Sequence, residues 1–412
     1  MDADGRSAEV SASGIGAIFG DGLGAAVRDA VGLFLSLRIV LGLVALWVWW
    51  QATPPGPCHF EVARNGWQTL PPLADQGPAF PLVGVWQRWD ACWYTKIATY
   101  GYETGENSVA FFPLFPLLTG IVGRLLVGAM ALGGLVVAGA AYVVAMTGLR
   151  RLVALDFDDK AALATVVALS IFPTAFFFFA PFTESLFLAT AVWAILGARR
   201  RSWTIAAIAG LLAALTRIQG VFLVLPLGWE ALMYWRERGW ASDGRPSPSA
   251  GSILRPTVAA LAPAAGFGAF LVFSSIVAGR TPLDTQEAWG GTDFHAPWEV
   301  VDAAWRWAFD RHDPLQLFNL VALLVFAFVT VLGLRQVPVS YSLYAIPQIA
   351  LIGSRIQPTP LTSTGRYLLV IFPVFVLLAL VPGRWLRFSW AIASALLLAV
   401  LLASFVRGDF VA

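Results

Sequence analysis

The chain has 412 residues, of which 58% are hydrophobic and 13% charged, with a mean hydropathy of +0.72. A soluble domain carries roughly 25% charge and could not hide this much apolar surface, and disorder or a coiled coil would need still more charge. A net charge of +2 sets up no basic field of the kind that draws nucleic acid, so no nucleic-acid partner is expected.

The composition leaves a polytopic, all-α membrane protein. A spanning helix needs about 20 mostly apolar residues. In chain order, residues 1–29 are rich in Gly, Ser, Ala and Asp and read as a cytoplasmic tail, without the basic start and small-residue exit of a cleaved signal peptide. Spans are predicted near residues 30–50, 130–149, 161–180, 184–198, 203–216, 218–235, 256–278, 316–334, 337–353, 366–382 and 388–405, about 11 in all. Residues 110–128 are also apolar enough to span, but Pro113 and Pro116 suit a helix start, and the positive-inside rule decides against a crossing. If they only lie in the outer interface, Arg150, Arg151, Arg199, Arg200, Arg201, Arg236, Arg238, Arg384 and Arg387 all fall on the cytoplasmic side.

This topology gives one transmembrane domain over residues 30–405, with external loops at 51–128 and 279–315 and an external tail at 406–412. Both loops are rich in Trp, Asp and Glu. Residues 242–256 form a Pro/Ser/Gly-rich internal linker. No internal repeat stands out, against the pattern of a transporter. An acidic, aromatic external face favours an enzyme working at the membrane surface.

In the first loop, Trp86, Trp89, Trp93, Ile97 and Tyr100 fall at spacings of three and four, the stripe of a helix lying in the headgroup layer with its aromatics down. Asp90 then sits at the lipid–water boundary between Arg88 and two tryptophans, where a carboxylate can take a proton from an attacking hydroxyl. Glu184 follows Pro181 at an outer span end, where an ionisable group is costly unless used or paired; it could also favour its own helix N-terminus. Arg217 and Arg366 sit at outer ends too, suited to an anionic phosphate by paired hydrogen bonds, or to pairing with Glu184. Arg38, inside the first span, is expected to meet an acid. His59, His295 and His312 lack zinc spacing, and Asp156-Phe157-Asp158 reads as a solvated cytoplasmic link. Cys58 and Cys92 share the first loop and could form a disulfide or stay free. The runs at residues 47–50 and 176–179 read as lipid-facing or interfacial aromatics, and Trp289, Trp298, Trp305 and Trp307 as surface aromatics able to meet sugar or headgroups.

The order Arg88-Trp89-Asp90, Ile97-Ala98, Gly101-Tyr102, Glu106 and Ala110-Phe111-Phe112-Pro113-Leu114-Phe115-Pro116 closely resembles the GPI mannosyltransferase II (PIG-V-like) family of GT-C membrane glycosyltransferases. Thr183-Glu184-Ser185-Leu186-Phe187, Thr216-Arg217-Ile218-Gln219-Gly220, Asp284-Thr285-Gln286-Glu287-Ala288-Trp289-Gly290 and Arg366-Tyr367-Leu368-Leu369 continue the resemblance in order. Trp93-Tyr94 stands where the eukaryotic family has His-Phe, as in bacterial relatives. The resemblance implies a GT-C-type fold and transfer of mannose or another hexose from a polyprenyl-phosphate sugar to a glycolipid or glycan hydroxyl, with inversion, on the outer face of a bacterial plasma membrane. It implies no metal and no nucleotide. Asp90 would be the base, with Glu106 sharing that role or orienting the acceptor. Arg88, Trp89, Tyr94, Lys96, Glu184, Arg217, Arg366 and Tyr367 would line the substrates. The rival readings are a protein O-mannosyltransferase and a non-enzymatic lipid or glycolipid transporter.

Overall fold

The computed structural model describes residues 22–51, 59–62, 66–69, 80–238, 249–288, 294–356 and 359–411. The tail before residue 22, Cys58, Trp289 and residues 242–248 of the internal linker lie outside the described residues.

The regular elements among the described residues are helices and one hairpin of β1 (His59–Val62) and β2 (Gly66–Thr69), paired antiparallel with His59 opposite Thr69. Among the described residues, six helical segments are long and apolar enough to cross a membrane. They are α1 (Leu23–Gln51), α4 (Met130–Val153), the segment Ile218–Glu237 containing α8 (Val224–Glu237), α9 (Ala250–Ala278), α12 (Pro314–Gly333) and α16 (Arg384–Arg407). They are six of the eleven predicted spans; α1 starts seven residues early and α9 takes in the end of the predicted linker.

The other five predicted spans are shorter helices. They are α5 (Asp159–Ser170), α6 (Glu184–Arg199), α7 (Trp203–Ala214), α13 (Val339–Ile352) and the broken pair α14 (Thr364–Leu368) and α15 (Phe372–Leu380). The reason is local. Pro173 cannot continue the helix that ends at Ser170, and Pro373 starts α15 rather than extending α14. Between α5 and α6 the chain runs through a 3-10 turn over Ala175–Phe178. Phe176, Phe177, Phe178 and Phe179 are 0–1% exposed, so this run is core and not lipid-facing. Trp47 and Trp50 are exposed, as expected of aromatics facing lipid.

Two short helices belong to the first loop. α2 (Asp90–Tyr100) and α3 (Leu114–Leu125) pack on each other and on α4. At 12 residues, or about 18 Å, α3 is too short to cross a bilayer, and Leu117, Ile121 and Leu125 form its exposed apolar side. The expected aromatic stripe is not one face of α2: Trp86 precedes the helix and is fully buried, and Ile97 is buried, whereas Trp89 and Tyr100 are exposed. The remaining helices are α10 (Pro282–Ala288) and α11 (Pro297–Asp310) in the second loop. On α11, Trp298 and Trp305 are exposed, while Trp307 lies under the Arg311 guanidinium at 3.7 Å.

Charge collects at two ends. Fifteen steps along α6 separate Glu184 from Arg199, about 22 Å of helix. At the Arg199 end, Arg150 pairs with Asp29 at 2.7 Å and Asp159 at 2.8 Å, and Arg199 with Asp156 at 2.5 Å. Tyr341 donates to Asp156 at 3.1 Å, and Asp158 caps α5 by accepting from the Ala161 N–H. The Asp156–Asp159 stretch is therefore a clamp between helices rather than a solvated link. Arg38 meets no acid among the described residues: it donates to the Phe179 carbonyl at 2.9 Å and lies over the Trp86 ring at 4.9 Å.

Candidate active site

At the Glu184 end four charged side chains form one chain of contacts. Arg217 Nη1 lies 2.6 Å from Glu184 Oε1. Arg366 Nε lies 3.4 Å from that same oxygen, an ion pair not aligned as a hydrogen bond. Arg366 Nη1 lies 2.5 Å from Asp90 Oδ2. The order is thus Arg217, Glu184, Arg366, Asp90, with two positive and two negative charges. Glu184 is 1% exposed at its side chain against 27% for Asp90, so Asp90 is the carboxylate a substrate can reach. Asp90 Oδ1 bonds no described residue.

Each member is set by its own segment. Asp90 opens α2 directly after Trp89, whose φ of 51° and ψ of −119° belong to a region that favours glycine. Such strain persists only where packing over-determines it. Trp89 is held edge-on to Phe410 at 5.0 Å. Glu184 begins α6, where the helix dipole favours a carboxylate. Arg217 has extended backbone before the 3-10 turn Ile218–Leu223. Arg366 lies on α14, reached through Leu361 and Ser363 at φ 56° and 62°. That short helix is tied down at Gly365: its N–H donates to Asn319 Oδ1 at 3.0 Å, and its carbonyl accepts from Thr174 at 2.7 Å. A Cβ on Gly365 would come within 2.8 Å of the Phe318 ring, so the close approach needs glycine.

Aromatic rings wall the guanidiniums. Tyr367 faces both Arg217 at 5.0 Å and Arg366 at 5.3 Å, and Phe182 faces Arg366 at 5.4 Å. Cation–π contact of this kind is worth more where water is excluded. Tyr94 O–H is 3.4 Å from Thr183 Oγ1, joining α2 to the start of α6. Burial, together with the Asp90 and Glu184 carboxylates, pushes the Tyr94 phenol above its ordinary value, so it stays a hydroxyl at neutral pH.

Three predicted residues go elsewhere. Lys96 is 1% exposed and holds Glu106 through both carboxylate oxygens, at 2.6 and 2.7 Å. Glu103 is 3.9 Å from the same ammonium, and the Trp93 ring lies 5.4 Å away. Lys96 is six residues along α2 from Asp90, about 9 Å of rise. Glu106 therefore sits on Lys96 and not beside Asp90. Arg88 is buried and donates to the Val406 carbonyl at 3.3 Å, bracing the start of α2 against the end of α16. Cys92 is disulfide-bonded, and the chain has one other cysteine, Cys58. Asn319 and Thr174, which seat Arg366, carry no signal in the sequence: one is an amide on an apolar helix, the other a hydroxyl after a proline.

Residues 39–233 match the family described as Mannosyltransferase (PIG-V). This stretch holds Asp90, Glu106, Glu184 and Arg217, and the resemblance read from the motifs stands over it; Arg366 lies beyond it. No curated protein matches the chain. Among solved structures, ArnT from Cupriavidus metallidurans bound to undecaprenyl phosphate is similar, with 14% identity over 91% of this chain and 64% of its own, at a TM-score of 0.49. The archaeal oligosaccharyltransferase AglB from Archaeoglobus fulgidus, in complex with an inhibitory peptide and a dolichol-phosphate, has 14% identity over 92% of this chain and 56% of its own, at a TM-score of 0.41. The chain spans less than two thirds of the length of either.

Proposed function

We propose, from the match of residues 39–233 to the mannosyltransferase (PIG-V) family, that the chain is a GT-C-type membrane mannosyltransferase using a polyprenyl-phosphate sugar. An acceptor hydroxyl of a glycolipid or glycan attacks the sugar's anomeric carbon. The C–O bond to phosphate breaks, the anomeric centre inverts, and polyprenyl phosphate leaves as an anion. The hydroxyl proton goes to Asp90 Oδ1, the carboxylate oxygen left free by Arg366. The reaction takes place at the outer face of a bacterial plasma membrane, the face opposite the arginine-rich end.

The observation that carries this reading is Arg366 held between Asp90 and Glu184, with Arg217 on the far side of Glu184. A reachable carboxylate is paired with one guanidinium, and a second lies beyond Glu184, an arrangement suited to proton removal and to an anionic leaving group. Glu184 orients the two arginines, and Tyr367 and Tyr94 wall the sugar. Trp89 aims Asp90. Arg88, Lys96 and Glu106 brace α2, so their part is to hold Asp90 in position. The charges flanking Asp90 are guanidiniums, a donor set suited to phosphate oxygens, and the chemistry asks for neither metal nor nucleotide.

The test supplies the purified protein with polyprenyl-phosphate mannose and candidate glycolipid acceptors. Asp90→Asn is expected to lower transfer by about 10² to 10⁴-fold while the protein keeps its fold. A folded Asp90→Asn protein transferring at the wild-type rate would remove Asp90 as the base. No turnover of any lipid-phosphate sugar by the wild type would remove the enzyme reading.

A further inference from the structure

A groove of about 440 Å³ runs between α4, α6 and α7, with Leu118 and Val122 of α3 at its rim, and has almost no polar lining. On α4 its wall includes Val137, Ala140 and Val144; on α6, Ala189 and Trp193; on α7, Ile208. Ala140, Val144 and Ile208 are exposed, so the groove opens sideways to the surroundings of the helices.

The two walls continue past the groove into polar groups that have no partner among the described residues. On α4 the series 137, 140, 144 continues at steps of three and four to Thr147 and Arg151. On α6 the series 189, 193 continues through Gly197 to Arg200. The helices meet closely there, since a Cβ on Gly148 would lie 2.6 Å from Trp193 Nε1. Measured from that contact, Arg200 is about 6 Å further along the axis than Arg151, within reach of two arginine side chains.

Thr147 Oγ1, Arg151 Nη1 and Arg200 Nε are each buried with no hydrogen-bond partner. Arg151 as a whole is 6% exposed and Thr147 4% exposed. The neighbouring Arg150 and Arg199 are both ion-paired, whereas Arg151 and Arg200 have no acidic partner among the described residues and feel each other's like charge. Buried donors left unmade are costly, and so are two unpaired guanidiniums side by side. All three groups can donate, and what they lack in common is an anion with several oxygens.

We infer that Thr147, Arg151 and Arg200 hold the phosphate of an anionic phospholipid whose acyl chain lies in the groove between α4, α6 and α7. The site is separate from the Asp90 group and does not depend on the reaction proposed for it. Charge complementarity selects the headgroup, and the apolar groove selects a lipid over a soluble phosphate. The site faces the arginine-rich end, so the lipid comes from the leaflet on that side.

The experiment is native mass spectrometry of the full chain released from vesicles of phosphatidylcholine with either phosphatidylglycerol or no anionic lipid. Wild type is expected to retain one phosphatidylglycerol in preference to phosphatidylcholine. Arg151→Gln and Arg200→Gln should each weaken retention about tenfold, the loss of one charge-assisted hydrogen bond. Ala140→Phe adds bulk at an exposed position on the groove wall, so it should cut retention without touching the arginines or the fold. Equal retention of the two headgroups overturns the proposal, as does unchanged retention in either arginine variant. Inorganic phosphate distinguishes the source. If it displaces the lipid and Ala140→Phe retains lipid normally, the ligand is a soluble phosphate and the lipid assignment falls. Should Arg151→Gln fail to fold, Arg200→Gln, at a half-buried helix end, carries the test.

Discussion

Arg366 and Asp90 are 276 residues apart in sequence and 2.5 Å apart in space. The same guanidinium reaches Glu184 at 3.4 Å through its Nε. A planar fork addresses the two carboxylates from separate nitrogens, Nη1 and Nε; the single nitrogen of a lysine, on a shorter reach, cannot reproduce both contacts at these positions. Arg366→Lys should therefore lower transfer about tenfold to a hundredfold, the range for one charged hydrogen bond. A thermal-melting cycle of Asp90→Asn, Arg366→Lys and the double variant should return a coupling of about 0.5–3 kcal/mol. Strictly additive melting effects would mean that the pair does not act as a unit.

Backbone strain sits beside both partners of that pair, at Trp89 before Asp90 and at Ser363 before Arg366. Trp89 offers the cleaner measurement. Trp89→Ala and Trp89→Gly both lose the ring contact with Phe410, and they differ in whether the residue tolerates φ 51°. Glycine should be more stable than alanine there by about 1 kcal/mol, the reverse of their order in a helix. Both should transfer sugar poorly, because Asp90 loses its aim. If the alanine variant melts at or above the glycine variant, the strain is not there.

The composition and the two ends of charge were readable because each depends on local chemistry. Asp90 stood out between aromatics, and Glu184 and Arg217 stood out as charges at the ends of apolar runs. Charges so placed can bind phosphate or pair with one another, and the structure has Glu184 paired with both arginines. The link from Arg366 to Asp90 was not readable, since nothing near either residue names a partner so far along the chain. Hydropathy also merged what prolines divide. The runs around Pro173 and Pro373 are apolar throughout, yet each lacks an N–H where a continuous helix would need one. The motif offers Glu106 as a partner of Asp90 in the base role or as a group orienting the acceptor. Lys96, on the same short helix, claimed it instead, because a buried ammonium must find a carboxylate.

The Lys96–Glu106 pair makes its own prediction. Lys96 is fully enclosed, and Glu106 answers it with both oxygens. Glu106→Gln removes the closest carboxylate and leaves the buried ammonium with Glu103 at 3.9 Å, which should cost up to about 3 kcal/mol. Lys96→Met with Glu106→Gln removes both charges, and most of that stability should return. Unfolding by chemical denaturant would measure it. If Glu106 itself met substrate, the double variant would regain stability without activity. If its work is to hold α2, transfer should return with stability.

Gly220 closes the Thr-Arg-x-x-Gly turn that presents Arg217. Its N–H donates to the Arg217 carbonyl at 3.0 Å, and a Cβ there would collide with the backbone of Ala213 and Ala214. Backbone cannot move aside as a side-chain tip can, so Gly220→Ala must shift the turn or the end of α7. Overpacking of this kind costs about 1–3 kcal/mol. Arg217 would also move relative to Glu184, now 2.6 Å away, and loosen the Arg217–Glu184–Arg366 chain. Gly220→Ala should therefore raise KM for the lipid-phosphate donor more than it lowers the melting point would suggest. Gly228→Ala, eight residues on and with nothing within 4 Å of its Cβ, should leave both unchanged. Equal effects from the two substitutions would show that the turn tolerates a side chain and that Arg217 is not held by it.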